Sequence, residues 1–180
     1  VGITSAKPFL KHGRVAVRRL LDGLMGDLPW YNYERVNRGS NPKLLFPSVK
    51  SIISVAVPYY SDSPAQISHE EIPTGKVARY SWGTDYHLLM KKQLQDFVDT
   101  VQVKLGKTIA AKIYVDDGPM QDRVVAERAG VGWFGKNTNI LTRKYGSWVF
   151  LGQILTDMEL ECDKSLTKSC GKCIACMPAC

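Results

Sequence analysis

The chain has 180 residues, 44% of them hydrophobic, and 24 Lys and Arg against 17 Asp and Glu give it a net charge of +7 and a pI near 9.2. That is enough for one ordinary buried core, as one domain or one domain with the beginning of another. The longest apolar run, Ile52 to Tyr60, is strand-sized and falls short of the ~18 apolar residues of a membrane-spanning helix, so no membrane partner is expected.

In chain order, Phe9, Val15, Val17, Leu20, Leu21, Leu24 and Met25 recur at mainly helical spacing among basic residues, which predicts an amphipathic helix from Pro8 to about Met25. Between Asp27 and Ser48 the aromatics Trp30, Tyr31 and Tyr33 and the turn formers Asn37, Gly39, Ser40, Asn41 and Pro42 predict a long, shaped loop. Ser51 to Tyr60 reads as a buried strand, and the polar, proline-bearing stretch Ser61 to Gly75 as a surface loop. A long helix comes next. Thr84 or Asp85 can cap it, Tyr86, Met90, Leu94, Phe97, Val98, Val101 and Leu105 form its apolar stripe, and Gly106 can end it. A second strand covers about Ile109 to Val115, a short helix has Pro119 near its first turn and Gly130 past its end, and Trp148 to Leu155 is a third strand. Strands alternating with helices predict an α/β or α+β core, followed by a cysteine-rich tail.

That tail carries the strongest motif. Cys170, Cys173, Cys176 and Cys180 have the spacing of bacterial 4Fe-4S ligation, in which the fourth thiolate serves a different cluster from the first three. A zinc site, which takes two separated cysteine pairs, fits less well. Only Cys162 lies apart, so the cysteines do not form the distributed framework of a secreted disulfide protein, and a reducing cytoplasm is expected. Further ligands are expected beyond Cys180, and residues before Val1. The positive balance favours a polyanion such as nucleic acid, although the basic residues are scattered and also suit a solvated surface.

Asp116 and Asp117 stand where the second strand gives way to the short helix, a place where α/β proteins often present reactive groups. Asp116 is the candidate acid, and a plain helix cap is the alternative. A helix N-terminus would favour the ionised carboxylate, so acid chemistry needs burial, as under a large apolar cofactor, to raise the pKa. Gly130 to Asn137 matches a phosphate-binding P-loop except at its last position, but it comes after a helix-like segment rather than a strand, which argues against an ATPase. Its glycines around Trp133 and Phe134 suit close approach to a flat ligand, or simply a turn with core aromatics. Arg79 to His87 gathers aromatic, cationic and hydrogen-bonding groups. His87 is not assigned as a metal ligand, because Met90 stands where a cobalt-binding histidine motif has glycine.

As an ordered set, the segments 79–87, 115–119, 127–138 and 146–152 and the cysteine run resemble the epoxyqueuosine reductase family, and Val1 to Thr4 and Asn41 to Pro47 extend the resemblance over nearly the whole chain. The resemblance implies an α+β fold: a mixed-sheet cobalamin-binding catalytic domain over residues 1–160, then the start of a ferredoxin-like 4Fe-4S domain over 161–180. It implies an oxidoreductase that reduces epoxyqueuosine to queuosine in tRNA, using cobalamin and two 4Fe-4S clusters fed by an external one-electron donor, and acting as a monomer. By the same resemblance Asp116 is the proton donor and touches the cofactor, Arg123 lies near the substrate, and Arg79, Tyr80, Lys136, Asn137 and Ser147 belong to the cobalamin pocket. Cys170, Cys173 and Cys176 would then hold one cluster and Cys180 the other. The second cysteine motif and the helical-repeat tail of that family are absent from this sequence, so the chain by itself is expected to hold clusters poorly and to lack turnover. The rival readings are a cobalamin-dependent reductive dehalogenase, a ferredoxin-type electron-transfer module and a zinc-stabilised nucleic-acid-binding domain.

Overall fold

A computed structural model describes residues 1–62 and 75–179. Most of the expected surface loop 61–75, and Cys180, lie outside the described residues. Strand β1 (Gly2–Ser5) leads to helix α1 (Leu10–Leu21), α2 (Tyr33–Ser40), the short α3 (Pro42–Leu45) and β2 (Ser51–Pro58). Helix α4 (Tyr86–Leu105), β3 (Ala111–Tyr114), α5 (Asp122–Arg128), the small hairpin β4 (Trp133–Phe134) and β5 (Ile140–Leu141), and β6 (Val149–Thr156) complete the order.

The main sheet has the order β1-β2-β6-β3, and each of its pairings is antiparallel. The α+β class holds, but the expected mixed sheet is corrected. The crossover through α4 does return the chain parallel to β2, as alternating strands and helices predict. The last strand, β6, then inserts between β2 and β3, so both meet an antiparallel neighbour and never each other.

Side chains on successive strand residues point to opposite faces, and here both faces are covered. Ile52, Tyr114 and Leu155 pack with Val124 and Val125 of α5, while Ile154 and Val115 pack with Met90, Leu94 and Val98 of α4. That double coverage explains why β2 and β6 read as continuous apolar runs rather than alternating ones. Helix α4 starts on Asp85, whose side chain accepts from the His87 N–H, and ends on Gly106 at φ 61, as its sequence predicts.

The expected loop 27–48 is also corrected, since it contains α2 and α3. Asn41 acts as a helix cap rather than a turn former, accepting from the Lys43 N–H, Asn32 caps α2 by accepting from the Arg35 N–H, and Pro42 opens α3, where its missing N–H costs nothing. Helix α1 stops at Leu21, short of Met25, and Gly23 turns the chain at φ 72. Pro119 precedes α5 instead of standing in its first turn. Neither β1 nor the β4–β5 hairpin was expected.

Candidate active site

The acid loop begins where β3 ends on buried Tyr114 and Val115. Asp116 comes next, in the left-handed region at φ 52, which Asp tolerates better than most residues. Its backbone turns the side chain to the Tyr86 hydroxyl, which donates to Oδ2 at 3.0 Å. Helix α5 is preceded by Gln121 as its cap, so Asp116 caps no helix and the alternative reading of this residue falls. Asp117 does a different job. Its Oδ1 accepts from the Val115 N–H at 2.9 Å and its Oδ2 pairs with Lys91. Burial pushes the Asp117 carboxyl up, but the Lys91 ammonium and the Val115 N–H outweigh it and hold it below the usual range.

Helix α2 props this loop from below. The Arg35 guanidinium donates to the Gly118 carbonyl at 2.6 Å, and Gln121 Nε2 donates to Ser40 Oγ at 2.8 Å. Gly39 packs so tightly that a Cβ there would lie 1.9 Å from the Pro119 carbonyl oxygen. The sequence from Tyr33 to Ser40 thus serves the site as a helix that holds the acid loop, and its Arg35 and Val36 also line the larger cavity.

One wall of the site is a stack of rings. Tyr86 lies flat on Phe150, with centroids 3.9 Å apart and planes within 2°, and Tyr59 stacks on the same ring at 4.4 Å. Outside both cavity linings, Trp148 extends the stack edge-on to Tyr59 and Tyr60, and there the Arg79 guanidinium, an expected pocket residue, sits 4.6 Å above the Tyr60 ring and 5.4 Å from Trp148, a cation–π arrangement. Burial and the bond to Asp116 raise the Tyr86 hydroxyl pKa well above its ordinary value, so that hydroxyl keeps its proton and stays a donor.

Two cavities meet at the acid. The larger, about 900 Å³, has Asp116, Asp122, Arg123, His12, Phe134 and Phe150 in its lining. The smaller, about 320 Å³, is bounded by Asp116, Arg123, Tyr80, Ser147, Tyr59 and Phe150. The fold therefore brings together Asp116, Arg123, Tyr80 and Ser147. Arg123 is fixed by donating to the Thr138 carbonyl at 2.8 Å. Aromatic rings and polar side chains share these linings about equally, with Asp116 and Arg123 common to both cavities.

The other expected pocket residues lie elsewhere. Asn137 Oδ1 accepts from the Asn139 N–H and so closes its own turn. Lys136 reaches away toward the cysteine tail, where its ammonium donates to the carbonyls of Gly171 and Cys173, each at 2.9 Å. Cys170, Cys173 and Cys176 occupy consecutive turns, marked by the Cys173 N–H bonding to the Cys170 carbonyl and the Met177 N–H to that of Ile174. Three thiols in one short loop suit an iron–sulfur cluster in kind. Among the described residues, however, no three His, Cys, Asp or Glu side chains converge as a ready ligand set.

Sequence reasoning missed His12, Tyr86 as a partner of the acid, and Asp122. His12 lies in the larger cavity near the Phe134 ring, and burial lowers its pKa. Asp122 opens α5 with Oδ1 sealed from solvent and without a hydrogen-bond partner. Burial, and after it the Asp116 charge, push its carboxyl up to about 7. Among the described residues no helix is long and apolar enough to cross a membrane.

Residues 40–117 match the family model described as "Epoxyqueuosine reductase QueG, DUF1730". The chain is 40% identical over 159 residues to an epoxyqueuosine reductase of Synechocystis, covering 88% of this chain and 52% of the relative. It is 37% identical over 182 residues to one from Listeria monocytogenes, covering 100% and 47%. Among solved structures it is similar to an epoxyqueuosine reductase from Bacillus subtilis with its catalytic aspartate loop swung out of the active site (TM-score 0.87, 33% identity, 99% of this chain and 46% of that one). A second similar structure is an epoxyqueuosine reductase with an epoxyqueuosine-modified tRNA-Tyr stem loop (TM-score 0.84, 34% identity, 98% and 46%). The chain spans about half the length of the curated relatives it matches.

Proposed function

Since the chain belongs to the epoxyqueuosine reductase family over the part of those proteins that it spans, we propose that it supplies the cobalamin pocket and the proton donor for reducing epoxyqueuosine to queuosine in tRNA. The observation that carries this reading is Asp116, held by Tyr86 in a left-handed turn where the two cavities meet. The solved relative named for its catalytic aspartate loop supports the same role.

Cobalamin, when bound, would supply a strongly reducing centre able to activate the epoxide carbon. The chain's own residues do the rest. Phe134 would offer apolar surface to the ring, and Tyr86 and Phe150, whose faces are covered by His87, each other and Tyr59, would present their edges, with Tyr80 and Ser147 at the rim of the smaller cavity. Asp116 gives its proton to the epoxide oxygen while the Tyr86 hydroxyl keeps the carboxyl aimed. Arg123, in both linings, faces the substrate and suits an anionic or oxygen-rich group. Residues 1–160 would form the cobalamin-binding part, and 161–180 would begin a ferredoxin-like segment whose thiolates hold 4Fe-4S clusters. Those clusters would relay single electrons from an external donor in a monomeric enzyme. The net charge of +7 and the relative solved with a tRNA stem loop support tRNA as the partner.

The test is anaerobic incubation of the intact, cofactor-loaded protein with tRNA carrying epoxyqueuosine, and in parallel with an organohalide, and then nucleoside and halide analysis. Queuosine without halide release is expected. Halide release without queuosine would favour the dehalogenase instead.

A further inference from the structure

Converting an epoxide oxygen to water and leaving an alkene breaks two C–O bonds and forms two O–H bonds and one π bond. It consumes two electrons and two protons. Asp116 carries one carboxyl proton per cycle, so the proposed reaction needs a second proton inside the same cavity. Asp122 is the side chain placed to hold it. It lines the larger cavity together with Asp116, six residues further along and across the Gly118–Pro119 bend.

The surroundings of Asp122 favour the neutral acid. Its Oδ1 is sealed from solvent with no donor to meet it, and Gln153 Oε1, also sealed, lacks a partner. The Gln153 amide reaches the Asp122 backbone carbonyl at 3.4 Å, and the sealed Ser54 hydroxyl opposite Gln153 makes no bond either, so the Asp122 Oδ1 is left short of a donor. An ionised carboxylate would deepen that shortage, while a carboxylic acid supplies a donor. The strongest charged neighbour of Asp122 points the same way, against a backbone N–H bond to the carboxyl that favours its ionisation. Asp116 and Asp117 oppose its ionisation, and Asp117 is partly offset by Lys91. Arg123 favours it, as the weakest of these influences, and is engaged with the Thr138 carbonyl.

We propose that Asp122 is a positioning residue that stores the second proton and passes it to the Asp116 carboxylate across a cavity water. In balance, Asp116 protonates the epoxide oxygen as the first C–O bond opens, and Asp122 reprotonates Asp116. Asp116 then protonates the resulting hydroxyl, which leaves as water, and the external one-electron donor supplies the electrons in two steps. The Asp122 carboxylate regains its proton from solvent. This assignment rests on the proposed reaction, but the titration behind it does not.

Carboxyl-13C NMR of the intact protein, with and without Asp116→Asn, should find Asp122 titrating near neutrality and moving to lower pH when the Asp116 charge is removed. In the loaded enzyme Asp122→Asn should slow queuosine formation by about tenfold to a hundredfold and flatten its fall at alkaline pH, whereas Asp122→Glu, which keeps an acid, should retain most of the rate. Either of two results would overturn the proposal: Asp122 titrating with the ordinary exposed aspartates, or Asp122→Asn turning over within twofold of wild type with an unchanged pH profile. A loaded wild-type enzyme that leaves epoxyqueuosine intact while Asp122 still titrates near neutrality would overturn the reaction, and with it the proton assignment, but not the coupled pair of acids.

Discussion

The acid loop around Asp116 is gripped by Arg35 and Gln121 against α2, by Lys91 and Tyr86 from α4, and by the close approach of Gly39 to Pro119. The cysteine loop has exposed Cys173 and half-buried Cys170 and Cys176, and it meets the core through the Lys136 ammonium on two of its carbonyls. Packing alone thus builds the proton-handling half of the proposed chemistry, because a carboxyl acts only where it is aimed. In the proposed chemistry the thiol half would be left for a metal cluster to organise, as binding free energy can supply ordering that the fold does not.

The sharpest way to break that contrast is to remove a thiol. Cys173→Ser should lose most reconstituted iron after anaerobic assembly while thermal unfolding of the core shifts by less than about 2 °C, because the loop contributes little packing. A large loss of core stability would mean that the two regions fold as one unit.

The pH dependence of the acid cavity is set by Asp122. Its carboxyl rises from 3.8 to about 7 on folding, so the folded chain keeps a proton that the unfolded chain releases across that interval. The Asp122 contribution to stability must then fall as pH rises from about 4 to about 7, by on the order of a few kcal/mol, while His12, whose pKa burial lowers, contributes in the opposite sense as it titrates. Asp122→Asn should abolish that fall, leaving the variant more stable than wild type at pH 8 and close to it near pH 4, as read by thermal unfolding at the two values. A wild type whose stability follows the same pH profile as Asp122→Asn would contradict the buried acid.

Smaller effects probe the supports. Gly39→Ala forces a methyl against the Pro119 carbonyl and should cost about 2 kcal/mol in urea unfolding. Tyr86→Phe keeps the stack on Phe150 but deletes the bond to Asp116, so turnover should drop by no more than about tenfold, matching one hydrogen bond of about 1 kcal/mol. Retention of full activity would show that Asp116 is aimed by its backbone alone.

Legibility in the sequence depended on how local each cause was. Helix α4 could be read with its cap and its end because Asp85, the Met90–Leu94–Val98 stripe and Gly106 act within their own segment. The β2 and β6 strands were visible as apolar runs. Asn41 misled because the same side chain serves a turn or a helix cap, and the choice depends on whether the next residues C-terminal to it pack as a helix. The sheet order was hidden because β6 takes its place between strands far away in sequence. Of the site, Asp116 stood out as a carboxylate at a strand end, and Tyr80, Arg123 and Ser147 came by resemblance and do line its cavities. Nothing in its local sequence marks Asp122, and only the tertiary fold seals its oxygen. Lys136 reads like a ligand-binding lysine, while its contacts run to a loop 35 and 37 residues away.

The most direct test is Asp116→Asn in the intact, anaerobically loaded protein, with corrinoid content measured by absorbance and queuosine formation by mass spectrometry of digested tRNA. The account predicts corrinoid uptake equal to wild type and a loss of turnover of at least about a hundredfold, since the amide keeps the shape and the Tyr86 bond but has no carboxyl proton to give. Queuosine formed at the wild-type rate by that variant would contradict it.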